Sequence, residues 1–294
     1  MDCGLKKLFS KFNKEKLAIL DALKTQKPWQ LSTDLHCQKN CMGCEILNFI
    51  CPDRCINEIF LIDNQSYLMT ETPMVSTPLN PFTVKVLLTW IVEDNIKVHA
   101  IQLIHVFQCQ YMGYCLYRVP TVNNQLYSLE SLINNKPLDG LIEGLFSQIV
   151  VIFNELKNIS CHINAHYKSF LISDKPCDYL SGKKHIKCDY TIVLSDLSGA
   201  SIHYFNNDIG VKKPTCLMPR MVEYKKSQFK MLYIGPLVVL DFYLMMQSLL
   251  SLPPWKEAFD KNEFLMSIDK SLWQRDIMDW LYINATEMAL NQLK

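Results

Sequence analysis

Apolar residues recur every three or four positions in several stretches of the chain, and this spacing predicts helices. In residues 5–24 the lysines lie mostly away from the apolar face, so an amphipathic helix is expected there. The apolar run 231–252 is long enough to cross a bilayer, but Gly235 and Pro236 interrupt it and Asp241 lies near its middle. Because a charge in lipid is costly, this run is predicted to be a buried core helix. The other predicted helices are 82–93, 138–156, 255–266 and 270–292.

Short apolar runs between turn residues predict strands, most of them in the first half of the chain. Residues 56–70 suggest two strands around a turn at 63–64. In the second half, two strands are expected on either side of a charged connector at 174–189. Strands with one helix followed by a mainly helical half predict an α+β fold. The remaining predicted strands are 99–108, 115–119, 169–172 and 190–194.

The composition is that of an ordered globular chain. Of 294 residues, 49% are hydrophobic and 20% are charged, whereas disorder requires the opposite balance. The formal net charge of +1 provides no overall field for nucleic acid, so no nucleic-acid partner is expected. The charged N-terminus has no apolar stretch typical of a signal peptide, which favours a cytoplasmic protein with reduced thiols.

Five of the twelve cysteines lie close together in the sequence. Thiolates can surround a tetrahedral zinc ion, so this cluster is a candidate zinc site. The spacing lacks the paired C-x2-C motifs that identify zinc sites well, and the alternative is that the thiols pack as small apolar side chains. The clustered residues are Cys37, Cys41, Cys44, Cys51 and Cys55.

The segment 162–200 contains the residues most typical of a functional site. A predicted helix leads into the polar loop Asn164-Ala165-His166-Tyr167-Lys168-Ser169, then come two strands, and Asp196 follows the second strand. This order resembles the catalytic segment of protein kinases, in which a loop of the form H-x-D-x-K-x-x-N precedes a D-F-G motif. Among kinases it is most similar to the virion-associated enzymes of large DNA viruses such as poxviruses.

The resemblance implies a two-lobed fold with a small β-rich N-lobe and a larger helical C-lobe. Residues 1–29 would form the N-terminal amphipathic helix, 30–122 the cysteine-rich N-lobe and 123–294 the C-lobe, with the boundary at 120–124. The N-terminal helix is expected to dock on its own domain, and the alternative is peripheral contact with a membrane surface through 5–24.

The resemblance also assigns roles to four residues. His166 stands where the kinase loop has its catalytic aspartate, and Lys168 matches the lysine that meets the transferred phosphate. Asp196 matches the aspartate that holds Mg²⁺ against the phosphates of ATP. Asp241 matches a structural aspartate that hydrogen-bonds the backbone of the catalytic loop.

Other kinase groups are missing from the sequence. Met69 falls where the third-strand lysine is expected, Lys85 lies on the following helix, and Glu93 is at the far end of that helix. A G-x-G-x-x-G loop is also absent. Because a kinase works mainly by electrostatic positioning, these losses argue against ordinary phosphotransfer.

Three functional hypotheses follow. The first is a pseudokinase that acts as a scaffold or regulatory binding protein for an unidentified protein partner, in the host cytoplasm or the virion of a large DNA virus. The second is an active atypical serine/threonine protein kinase that uses ATP with Mg²⁺ at Asp196, and Lys168 and His166 at the phosphate. The third is a zinc-stabilised interaction protein built around the cysteine cluster.

Overall fold

The chain has an α+β fold, as predicted. The computed structural model describes residues 2–31, 59–62, 65–74, 80–109, 112–131, 141–159, 161–163, 165–181, 184–197, 199–210, 220–223, 230–233 and 237–261. The helices in these ranges are α1 (Asp2–Lys24), α2 (Pro81–Ile96), α3 (Leu141–Asn158), α4 (Leu237–Leu250) and α5 (Pro253–Lys261).

The first part of the chain forms a four-stranded antiparallel sheet against which α2 packs. Its strands are β1 (Ile59–Ile62), β2 (Gln65–Pro73), β3 (Gln102–Cys109) and β4 (Met112–Arg118), in the spatial order β1-β2-β4-β3. Helix α2 connects β2 to β3.

Helix α2 is apolar on nearly every side, because it lies between the sheet and the rest of the core. The Asn80 side chain caps it by accepting the N–H of Phe82 at 3.0 Å, and Pro81 supplies the first helical position. The Phe82 ring lies so close to β4 that a Cβ atom on Gly113 would be 2.3 Å from Cδ2 of the ring. Glycine at 113 therefore permits this close packing of helix and sheet.

The second part of the chain combines helices with short strands. The strands are β5 (Leu126–Ser128), β6 (Cys161–His162), β7 (Phe170–Ser173), β8 (Cys177–Ser181), β9 (Lys184–Cys188), β10 (Thr191–Leu194), β11 (Ser201–Tyr204), β12 (Asn207–Gly210), β13 (Arg220–Glu223) and β14 (Lys230–Tyr233). Two three-stranded antiparallel sheets have the orders β10-β7-β5 and β12-β11-β6, and two separate hairpins are formed by β8 with β9 and by β13 with β14.

Two predictions about this half were wrong. The connector 174–189 is not a plain loop, because β8 and β9 pair within it. The apolar run 231–252 is not one helix: its first residues belong to β14, and α4 begins at Leu237, directly after Pro236. A proline lacks the N–H that an internal helical position requires, which explains a helix that starts after it. None of the helices in the described ranges is long and apolar enough to cross a membrane.

Helix α1 docks on the domain over residues 12–24, as predicted. Phe12 packs against Trp90 with a ring-centroid distance of 5.1 Å and meets the edge of His105 at 5.9 Å. The Lys16 ammonium lies 3.0 Å from the Glu93 carboxylate, and both side chains are mostly buried. The buried apolar residues of α1 join those of the other helices and the sheets in one continuous core.

Candidate functional site

A cavity of about 290 Å³ lies between the first sheet, α2 and the chain that follows β10. Its walls come from β2, α2, β4 and residues 194–197, so it opens between the two parts of the chain. Six of the twelve lining residues are aliphatic. The polar lining residues are Thr70, Lys85, Thr89, Tyr117, Ser195 and Asp196.

Lys85 brings a positive charge to the wall of this cavity. Its Nζ donates a hydrogen bond to Oγ1 of Thr70 at 2.7 Å and a longer one to Oγ1 of Thr72 at 3.4 Å. Because hydroxyl groups are neutral, these contacts fix the ammonium without cancelling its charge. Asp196, which is exposed, brings a carboxylate to the same cavity. An ammonium and a carboxylate in one cavity are suited to binding an anion together with a metal cation.

The strand position that faces Lys85 is Thr70 and not Met69. Leu68 and Thr70 line the cavity, whereas Met69 between them is fully buried. Alternate residues of a strand point to opposite faces, so Met69 packs away from the cavity. Met69, which the kinase resemblance assigns to the third-strand lysine position, therefore does not line this cavity. Lys85 on the helix and Thr70 on the strand meet at its wall instead.

The polar loop after β6 is fixed by α4. The fully buried carboxylate of Asp241 accepts the backbone N–H of Ile163 at 2.7 Å and that of Ala165 at 3.2 Å. Two turns further along α4, Oγ of Ser248 accepts the N–H of Tyr167 at 3.0 Å. Buried carboxylates need such donors, because the charge is otherwise costly to remove from water. These are the backbone contacts that the kinase resemblance implies for Asp241.

His166 and Lys168 are exposed on this loop and do not line the 290 Å³ cavity. Nδ1 of His166 accepts the backbone N–H of Lys168 at 3.2 Å. Partial burial, and then the charge of Lys168, lower the pKa of His166, which favours the neutral ring at pH 7. With Nδ1 as acceptor, the neutral tautomer carries its proton on Nε2. Nε2 is then a donor, so this ring is poorly arranged to remove a proton from a substrate.

Ser169 links the loop to the segment that carries Asp196. Its carbonyl oxygen accepts the N–H of Ser195 at 3.0 Å and that of Asp196 at 3.3 Å. The pairing of β7 with β10, which places Phe170 opposite Leu194, holds the same two segments together. The structure therefore connects three of the predicted site segments, around His166, Asp196 and Asp241, although only Asp196 reaches the cavity.

The predicted zinc ligands Cys37, Cys41, Cys44, Cys51 and Cys55 lie outside the described residues, so the zinc site remains a prediction. Within the described ranges, no three His, Cys, Asp or Glu side chains are grouped in a way that could hold a metal. Four cysteine thiols described there are buried: Cys115, Cys161, Cys177 and Cys188.

Burial makes at least two of these thiols unreactive. It raises the pKa of Cys115 to about 11, against a smaller opposing effect of Lys85. Burial, with Cys188 and Asp178 nearby, raises the pKa of Cys177 to about 12. Because the thiolate is the reactive form, neither cysteine is suited to nucleophilic chemistry near neutral pH.

No protein-family model matches the sequence, and no curated protein matches it significantly.

Proposed function

We propose that the protein is a pseudokinase, a kinase-like scaffold that acts by binding a protein partner. The observation that carries this proposal is the loop held by Asp241. The anchoring carboxylate is buried and bonded to the loop backbone, while the loop presents His166, whose Nδ1 is occupied, where a kinase presents a carboxylate. A loop that is fixed in this way but lacks the catalytic acid is better explained by a retained kinase-like framework than by phosphotransfer.

The arrangement of the first sheet supports the kinase-like part of the proposal. Two paired strands, a helix and two further paired strands follow one another, as the resemblance implies for the N-lobe. The cavity between this sheet and the segment of Asp196 supports the expectation of a cleft between two lobes. By the same resemblance, the proposed setting is the host cytoplasm or the virion of a large DNA virus.

Electrostatics support the absence of ordinary phosphotransfer. A neutral imidazole does not supply the negative charge that a catalytic aspartate places beside Mg²⁺, and its available nitrogen carries a proton. Two changes therefore act together at His166: the base is lost, and one anionic group of the metal environment is lost with it.

A direct assay tests the proposal. Purified protein is incubated with radiolabelled ATP, Mg²⁺ or Mn²⁺ and a general protein substrate, and no transfer above background is expected. Transfer that disappears in both His166→Ala and Asp196→Ala, but persists in Asp189→Ala, would contradict the proposal. Asp189 is a suitable control because it is an exposed aspartate that does not line the cavity.

The second candidate is an atypical kinase, and one observation favours it: Lys85 and Asp196 line the same cavity. Such a protein would bind ATP with Mg²⁺, Lys85 meeting the phosphates and Asp196 the metal. Thermal-shift titrations with ATP, with and without Mg²⁺, measure this binding because a ligand of the folded state raises its apparent stability.

The variants separate the two candidates. A metal-dependent shift that is lost in Asp196→Ala and in Lys85→Met, but kept in Asp189→Ala, would support nucleotide binding in the cavity. If phosphotransfer is absent at the same time, the protein is a nucleotide-binding pseudokinase. If no shift occurs at millimolar ATP, the atypical-kinase candidate is wrong.

A further inference from the structure

A second cavity, of about 460 Å³, lies where the end of α2, β3, β4 and the start of β8 meet. Its volume is in the range of sites that bind small ligands or single segments of a peptide. Three exposed cationic residues line it: Lys97, Arg118 and Lys175. They come from three separate parts of the chain, and the fold brings them to one cavity.

The charge around this cavity is not balanced. Of the two acidic lining residues, Glu93 is neutralised by the ion pair with Lys16. Asp178 contacts the exposed imidazole of His185. Within the described part of the chain, neither Lys97 nor Lys175 has an ion-pair partner, and Arg118 bonds the neutral amide of Gln102. The cavity therefore has about two positive charges in excess.

One polar group at the cavity is fixed as a hydrogen-bond acceptor. Burial lowers the pKa of His99 to about 4, so its ring is neutral at pH 7. Nδ1 of this ring lies 2.8 Å from the carbonyl oxygen of Ile192 and must carry the proton, which leaves Nε2 to accept the hydroxyl of Tyr179 at 2.7 Å. The hydroxyl proton of Tyr179 is thus donated to His99, and the hydroxyl oxygen can only accept a further hydrogen bond.

Apolar residues form part of the remaining lining, and one of the cationic residues is strained. Val98, Ala100, Pro120 and Pro176 provide apolar surface between the charged groups. Lys97 ends α2 with φ of 49°, a backbone conformation in which glycine is favoured over residues with a side chain. A lysine there costs stability, which is consistent with a role for its charge.

We propose that this cavity binds a short acidic segment of a protein partner. Carboxylates of the segment would meet Lys97, Arg118 and Lys175, an apolar side chain would cover Val98, and a backbone N–H would donate to Tyr179. A bare anion would use the cations alone, whereas a peptide matches the cations, the acceptor and the apolar surface together. The inference rests on the proposed scaffold role, because it names the chemistry of the partner.

Binding of a defined peptide tests the inference. The probe is a fluorescein-labelled peptide with several glutamates around one leucine, followed by fluorescence anisotropy at low ionic strength. The comparison peptide has glutamine in place of every glutamate. Binding of the acidic peptide is expected, with affinity at least about tenfold above that of the neutral peptide, because two or more charge contacts are lost together.

Two double variants locate the site. Lys97→Glu with Lys175→Glu is expected to weaken binding of the acidic peptide about tenfold or more. The matched control, Lys14→Glu with Lys27→Glu, changes the net charge equally at exposed lysines outside the cavity and is expected to leave affinity within about twofold. If the charge reversals prevent folding, Lys97→Gln with Lys175→Gln replaces them.

Either of two results would overturn the inference directly: no binding of the acidic peptide, or an unchanged affinity in the cavity variant. An equal loss of affinity in both double variants would also overturn it, because it would indicate attraction to the overall charge of the protein. Phosphotransfer is measured separately on the same protein. If the peptide does not bind and no phosphotransfer is measured, only this inference is wrong. If phosphotransfer is measured, the scaffold proposal is wrong, and the peptide result is then judged independently of it.

Discussion

Replacement of Asp241 tests whether α4 holds the loop that begins after β6. The wild-type carboxylate accepts two backbone N–H groups, from Ile163 and Ala165, and it is fully buried. A hydrogen bond to a charged acceptor contributes about 1.5–3 kcal/mol, and an unsatisfied buried donor costs about 1–3 kcal/mol. Asp241→Ala is therefore expected to lower the free energy of unfolding by about 4 kcal/mol.

Two further variants are expected to lower the free energy of unfolding by smaller amounts. Asp241→Asn keeps the shape and one acceptor oxygen but turns an amide N–H toward a backbone N–H, so about half of the loss is expected, roughly 2 kcal/mol. Ser248→Ala removes a single neutral acceptor, for Tyr167, and is expected to cost about 1 kcal/mol. Urea unfolding at constant pH measures all three values.

Hydrogen exchange identifies the cause of the loss. If the anchor works as described, exchange in Asp241→Ala accelerates most at the amides of residues 163 and 165, while in Ser248→Ala it accelerates most at residue 167. The reasoning is refuted if Asp241→Ala costs less than about 1 kcal/mol, or if these amides exchange no faster than others in the core.

Three other predictions rest on packing, titration and backbone strain. Gly113→Ala is expected to destabilise the fold by about 1–3 kcal/mol, because the new methyl group overlaps Phe82; unfolding by urea measures this, and an unchanged midpoint would contradict it. Burial lowers the pKa of His99 and of His105 to about 4, below the ordinary value near 6.5. Between these values the unfolded chain binds protons that the folded chain does not, so stability falls as pH is lowered from about 6.5 to 4, by about 3 kcal/mol for each histidine. His105→Leu should remove about half of that acid-dependent loss, and an unaltered pH profile would refute the assignment. Lys97→Gly is expected to raise the free energy of unfolding by about 1 kcal/mol, because glycine relieves the strain of the positive φ. The same variant is expected to bind the acidic peptide more weakly. A lower stability would contradict the strain, and an unchanged affinity would contradict its proposed use in binding.

Periodic patterns in the sequence predicted helices α2 and α3, but not the start of α4. The helix expected at 82–93 is α2, and its start at Pro81 is explained by the asparagine cap and the proline, both visible in the sequence. The hairpin of β8 and β9 was missed although buried Cys177, Ile186 and Cys188 alternate with exposed residues. Its strands are short, and charged residues with a proline make the segment look like a loop.

The sites depend on contacts that no local pattern reveals. Asp241 and Ile163 are 78 positions apart, and the cost of a charge in an apolar helix indicates only that a partner must exist. The sequence predicts that Lys85 lies on a helix, but its contact with Thr70 depends on how β2 packs against α2. The cavity of about 460 Å³ combines cationic residues from three segments, and no pattern in the sequence predicted it.

The position of α1 has a consequence for synthesis of the chain. Asn207 donates a hydrogen bond to the carbonyl oxygen of Leu23, which is 184 positions earlier. At translation rates of about 5–20 residues per second, the ribosome needs roughly 10–40 s to make this last contact available. During that interval the last turn of α1 lacks this contact, although Phe12 can already pack against Trp90 and His105. The last turn of α1 is therefore expected to fray until the chain has been made beyond residue 207.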